Sequence, residues 1–371
     1  MDEPHQFPEL GCYGLAGHAA DPRALLDEVR EAERIGLGAV FLSERFNYKD
    51  AAVLSGAAAA ATTTLGIATA ATNHNTRHPL VTATMATTAH RMSRGRFALG
   101  LGRGFDMLFD LMGVPRITNA QLRDAIAVQR RLWRGERFDH DGPSGTYPYL
   151  FLMDDDIAED IPVLMVALGP KALELAGSVA DAVVLHTFMT DAAVARSVAT
   201  ARAGAEAAGR DPAALRIWAC TAVVEDTIPA EEVLKKTVGR LATYLQGYGD
   251  LLVRINDWDP AALQRFREDP LVTGFSGAFD AVATPDQLAY LADRVIPQEW
   301  LDCAITGTAG SCAQQVADSF GITGVDSVIL HGSTPSQLAP VLSAYASVRR
   351  PGQPTLPANP GRMAPGLLDG L

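Results

Sequence analysis

Residues 181–187 read DAVVLHT, and residues 326–332 read DSVILHG. Each is an aspartate, an unbroken apolar run and a histidine near its end. A short apolar run without polar alternation fits a strand covered on both faces, which is the habit of parallel sheets. The pattern recurs outward from these two near-copies. LGCYGL (10–15), AVFLS (39–43), LGIATAA (65–71), RFALGLG (96–102), PVLMVA (162–167) and RIWACTAVV (216–224) are of the same kind, with helical sequence after each. Asp21 and Pro22 open one helix, Leu25, Val29 and Ala32 form its face, and Gly36 stops it. Val81, Met85, Thr88 and Met92 share one face of another, and Thr334-Pro335 opens the last. Eight such strands with helices between them predict a (β/α)8 barrel (a TIM barrel) over residues 1–349 rather than an open sheet. Two stretches break the rhythm, near 135–160 and 247–305, and are expected as insertions over the C-terminal mouth. The Pro/Gly-rich tail, 350–371, is expected to run over the surface or into a neighbour.

The chain has 371 residues, 48% hydrophobic and 20% charged, which suits a large core. Forty-three acidic against 31 basic residues leave a net charge of −12. That argues against nucleic acid and anionic membranes as partners. An anionic ligand must then meet a local exception to the overall field. Neither a basic-then-apolar leader nor an apolar span of about 18 residues is read. Cys12, Cys220, Cys303 and Cys312 lack CxxC pairing, so reduced thiols and a cytoplasmic location are expected. HExxH, CxxC and GxSxG are missing, so no metal is expected and serine hydrolase chemistry is disfavoured.

In a parallel barrel the reactive groups stand at the C-terminal strand ends. After the fourth run come Gly100, Gly102, Arg103, Gly104 and Phe105. They do not make a dinucleotide fingerprint. They make either a tight turn or an anion cradle of backbone N–H groups with one guanidinium. After the fifth, Leu168-Gly169-Pro170-Lys171 either aims a helix N-terminus and a lysine at the mouth or is an ordinary connection. TNHNTRHP (72–79) is polar, and His74 is its acid–base candidate. Glu44 and Arg45 follow the second run, as a surface pair or facing a ligand. His186 and His331 end their strands, as mouth-facing groups or core-edge histidines. His18, after the first, is a possible substrate contact.

With these motifs in hand, the segments at 65–106, 161–187 and 324–332 resemble the bacterial-luciferase-like superfamily, and within it the oxidoreductases that use the deazaflavin coenzyme F420. The resemblance covers most of residues 8–348. It implies a (β/α)8 barrel with the deazaflavin, or alternatively FMN, in its mouth. It implies a non-proline cis peptide at the end of the third strand, at Ala68-Thr69 or one residue later. It implies cofactor contacts at Ala68, Thr69, Arg103, Gly104, Leu168, Gly169, Pro170, Lys171, His186 and Thr187, with Gly102 and Gly104 letting the backbone approach the cofactor. Phe105 and His331 fall on the substrate side. Two departures stand out. Glu44-Arg45 occupies the place of the family's Asp-His, and Phe105 that of a glutamate in sugar-phosphate dehydrogenases. A guanidinium cannot serve as an ordinary general base, but it can stabilise an anion. The catalytic set is then His74, Glu44 and Arg45, with His74 as proton donor. The expected activity is hydride transfer between deazaflavin C5 and a small organic substrate, by a homodimer. An FMN-dependent two-component monooxygenase and a non-catalytic cofactor-binding barrel are the alternatives.

Overall fold

The computed structural model describes residues 7–16, 21–46, 48–154, 156–353 and 355–364. Eight parallel strands close into a ring: β1 Phe7–Tyr13, β2 Leu37–Leu42, β3 Gly66–Thr69, β4 Phe97–Leu101, β5 Val163–Val166, β6 Ala182–Val184, β7 Arg216–Glu225 and β8 Ser327–His331. Closure is seen in the register, with Val328 opposite both Ala219 of β7 and Leu10 of β1. All eight apolar runs form strands of the barrel. The absence of polar alternation has a direct cause. Phe41, Ala68, Ala98, Leu164, Ala182 and Trp218 pack inside the ring. Their neighbours Val40, Ile67, Phe97, Leu99, Val163, Val183 and Ile217 pack outward in the larger core beneath the helices. Both faces of each strand are buried.

The close pairing of β3 and β4 depends on Gly100, where a Cβ would lie 1.7 Å from the Thr69 carbonyl oxygen. Thr69 Oγ1 accepts from Gly100 N and donates to Gly100 O, each at 2.8 Å. Helix starts follow the sequence signals. Thr334 and Gln337 form a reciprocal capping box at the helix Pro335–Val348.

Three expectations change. Residues 138–150 form an antiparallel hairpin, Phe138–Gly142 with Gly145–Leu150. It lies along the outer helices rather than across the mouth. Arg131 sits 3.5 Å above the Phe138 ring, His140 Nε2 is 2.9 Å from Asp124, and Phe138 and Leu150 join the core beneath the helices. The second insertion starts sooner than residue 247, at the helix Ala230–Leu234. It includes the long helix Arg240–Asn256 and returns at Ile305–Gly307, which pairs with the far end of β7. It has its own apolar core, in which Trp258 stacks on Trp300 at 4.6 Å. The helix Arg240–Asn256 meets the strand ends and acts as a cover.

The tail is the third change. Leu356 and Asn359 are buried. Asn359 Nδ2 donates to the carbonyls of Gly95 (2.6 Å) and Phe97 (2.9 Å), and Trp218 Nε1 donates to Pro360 O at 2.8 Å. Residues 356–362 thus plug the N-terminal end of the barrel. Proline and glycine forbid regular structure there but do not forbid burial, provided the carbonyls find donors.

Candidate active site

The C-terminal mouth is walled by Tyr13 at the end of β1, Arg45 after β2, His186 after β6 and His331 at the end of β8, with the cover helix across them. His186 Nδ1 lies 2.9 Å from the Thr187 carbonyl, which can only accept, so Nδ1 carries the proton. Nε2 therefore accepts from the Tyr248 hydroxyl at 2.7 Å. Burial pushes this imidazole down to about 4, so it is neutral near pH 7. The Tyr244 ring packs on it at 4.8 Å. His331 stands edge-to-face with Tyr13 at 5.1 Å, and its buried Nδ1 has no partner among the described residues. Burial first, then the charge of Arg240, keeps its proton affinity well below the ordinary histidine range.

Across the ring, the corner after β4 and β5 is open. Arg103 and Gly104 are exposed, and Arg103 Nε donates to Ile117 O at 2.9 Å. Phe105 is half exposed and lies 5.6 Å from the Tyr248 ring. Gly169 and Pro170 open the helix Pro170–Val179, with Lys171 in solvent. The glycines of this corner answer first to the chain itself. A Cβ at Gly102 would lie 2.9 Å from that of Ala71, and one at Gly104, whose φ is +66°, 2.7 Å from the Phe109 ring. The close approach they were expected to give a ligand is explained by these neighbours.

Other expected residues also move. The cis peptide is Ala70-Ala71, beyond the expected position. The sheet path continues past Thr69, because Thr72 N donates to Gly100 O and Gly102 N to Thr72 O, each at 3.0 Å. Thr69 is fully buried and bonded to Gly100, and Ala68 lies inside the barrel, so neither reaches the rim. The Glu44 carboxylate accepts from Arg77 Nη1 (2.6 Å), Thr72 Oγ1 (2.9 Å) and Ala51 N (3.1 Å), which ties the β2 and β3 loops together. His74 faces away from the mouth. It lines a small cavity with Thr82, Gln129, Tyr147 and the outward side chain of Leu101. His18 lies outside the described residues.

Sequence reading missed Tyr13, Lys49, Lys236, Arg240, Tyr244 and Tyr248. The last four recur at every fourth position, a helical stripe that was legible had the search not been confined to strand ends. Arg240 Nη1 pairs with Asp280 at 2.7 Å. Among the described residues, no group of three or more His, Cys, Asp or Glu is arranged to hold a metal, and no helix is long and apolar enough to cross a membrane.

A surface groove runs on the outside of the barrel, between the helices Ala51–Ala61 and Pro79–Met92. Its wall is the stripe Val81, Met85, Thr88 and Met92. Val81 is 55% and Met92 50% exposed, so this face looks outward. The opposite face, Ala83, Ala86 and Ala89, is buried because its small side chains permit close packing on the barrel.

A model of the luciferase-like monooxygenase family matches residues 6–327. A 5,10-methylenetetrahydromethanopterin reductase of Methanolobus tindarius is 32% identical over 238 residues, covering 62% of this chain and 70% of the relative. Among solved structures, the coenzyme F420-dependent tetrahydromethanopterin reductase of Methanopyrus kandleri superposes with a TM-score of 0.76 at 18% identity, covering 92% of this chain and 99% of that one. An F420-dependent secondary alcohol dehydrogenase, solved with an F420-acetone adduct, gives 0.67 at 19% identity, again over 92% and 99%.

Proposed function

The chain belongs to the luciferase-like monooxygenase family, and from that premise we propose that it is an F420-dependent oxidoreductase acting on a small organic substrate. The observation that carries the reading is the pairing of an open cationic corner with a mouth of neutral imidazoles and phenols. Arg103 and Lys171 are exposed beside the N-terminus of Pro170–Val179, and that combination fits the anionic tail of a deazaflavin in a chain of net charge −12. A relative described as an F420-dependent glucose-6-phosphate dehydrogenase, 33% identical over 186 residues, supports F420 over FMN.

When bound, the deazaflavin supplies two-electron hydride chemistry at its C5. The chain's residues do the rest. Arg103 and Lys171 hold the tail. Tyr248, fixed by neutral His186, and Phe105 limit water at the mouth. Arg45 and Arg240 supply positive charge for an oxyanion. His331 takes the part first given to His74. Its unpartnered Nδ1 is neutral and able to hold the proton that leaves or joins a substrate hydroxyl. The groove between Ala51–Ala61 and Pro79–Met92 is the proposed dimer face, occupied by a second copy. The first helix carries no charged residue, and in so acidic a chain an uncharged face is where two copies approach without repulsion.

Titration of the purified chain with oxidised F420 and, separately, with FMN tests the reading. Micromolar binding of F420, seen as changed deazaflavin fluorescence, is expected. Binding of FMN with none of F420 would replace it with the monooxygenase reading. Binding of neither would remove it.

A further inference from the structure

We propose that the mouth contains a second anion subsite, formed by Lys49, Lys236 and Arg240 with Arg45 beside them at the ends of β1, β2 and β8, and that it takes an oxyanion group, carboxylate or phosphate, of the substrate. The inference deepens the oxidoreductase reading by naming the substrate class, and it rests on that reading only for the word substrate.

Four cations from two separate segments meet here. Lys49 Nζ donates to Leu15 O at 3.1 Å, at the end of β1. The main chains of Arg45 and Lys49 exchange bonds of 3.1 and 2.8 Å. From the cover, Lys236 Nζ donates to Gly332 O (2.6 Å) and Gln337 Oε1 (3.1 Å), at the end of β8. Arg240 follows four residues later, at the start of the cover helix, pairing with Asp280. Burial is the first cause that lowers the proton affinity of Arg45, Lys49 and Lys236, and the nearby charge of Arg240 adds to it at each. Among the described residues, the anions of this region are Glu28, which accepts from Leu15 N at 2.6 Å, Asp280, and Glu232, which accepts from Gln337.

Among the described residues, positive charge therefore exceeds negative at one spot of an acidic protein, where solvent screening is reduced. Collecting partly buried like charges costs stability unless an anion shares the site. Two further observations point to a missing acceptor. Arg240 is 8% exposed, yet its Nε has no partner among the described residues, and neither has Nδ1 of the adjoining His331. The β4/β5 corner lies across the ring, so the cofactor's tail and a substrate anion would not compete.

The test is calorimetric titration with inorganic phosphate, and in a second arm acetate, of the cofactor-free chain. The background is Arg103→Gln/Lys171→Gln, which removes the other anion corner. One phosphate site is expected in that background. Adding Lys49→Met should weaken it at least tenfold, as should Arg240→Gln/Asp280→Asn, which leaves no buried charge unpaired. Circular dichroism and melting curves confirm that each variant is folded. Acetate binding of comparable strength would assign the group as carboxylate, and phosphate binding alone as phosphate. No anion binding in the background, or binding unchanged by both further variants, overturns the subsite. A wild type that binds F420 while the background binds no anion loses the subsite alone. The converse loses the cofactor reading alone.

Discussion

The two ends of the barrel each bury a guanidinium, and they treat it differently. At the N-terminal end Arg216 is fully buried, and its nitrogens donate to Pro8 O (2.7 Å), Ser327 Oγ (3.0 Å), Asn359 O (3.1 Å) and Arg362 O (3.2 Å) while it stacks 4.4 Å from the Trp218 ring. At the mouth Arg240 keeps one ion pair, and among the described residues its Nε is unpartnered, beside an unpartnered histidine nitrogen. The closed end has acceptors matched to donors and contributes stability. The mouth has donors in excess and is arranged for a ligand. In such barrels the chemistry belongs to the C-terminal face and the opposite face serves stability.

The sharpest break of that contrast is Arg216→Met. It leaves several buried acceptors unpaired, and a loss of about 3–5 kcal/mol in unfolding free energy is expected, measured by urea denaturation. F420 binding by the molecules that remain folded should be unchanged. A loss under about 1 kcal/mol would mean that the tail is not a structural plug.

Next in size is the effect of pH on the mouth. His186 has a folded value of about 4 against the ordinary 6.5, so as pH falls the unfolded chain takes up the proton first. The stability is complete above pH 6.5, drains away between 6.5 and 4, and falls no further on this account below 4. The full effect is roughly 3 kcal/mol, and His331 acts in the same direction. Denaturation at pH 7.5, 5.5 and 4.5 should show the decline, and His186→Gln should flatten it. An equal slope in that variant would place the titration elsewhere.

Tyr248→Phe is a smaller perturbation. It leaves His186 Nε2 without its donor, and a loss of about 1–2 kcal/mol is expected. No change would mean that the hydroxyl is not the group that fixes the imidazole. Smallest is Val81→Asp in the outer groove. Monomer stability should stay within about 0.5 kcal/mol, while sedimentation should shift from dimer to monomer. A wild type that sediments as a monomer would end the dimer proposal.

The barrel was legible because strands buried on both faces give unbroken apolar runs, as in DAVVLH and DSVILH. The tail was not, since a Pro/Gly-rich composition does not say whether carbonyls will find donors, and the donors, Arg216 and Trp218, lie far away in sequence. His74 was misplaced because a polar loop does not reveal on which side of its strand it turns. The link from Asn73 Nδ2 to Gly102 O, at 2.8 Å, ties that loop to the residue after β4, and His74 falls in the cavity on the helix side of Leu101. Arg103 and the Gly169–Lys171 turn could be seen because strand end and helix start are contiguous in the chain. The cationic cluster could not, because it joins Lys49 to Arg240 across most of the barrel's sequence.

Hydrogen–deuterium exchange with and without F420 tests the central claim most directly. The account predicts slower exchange at 102–105, 168–172 and along 240–251, with no change at 355–362 or in β4's first residues. Protection centred on the tail end, or on the outer groove of Ala51–Ala61 and Pro79–Met92, would contradict it.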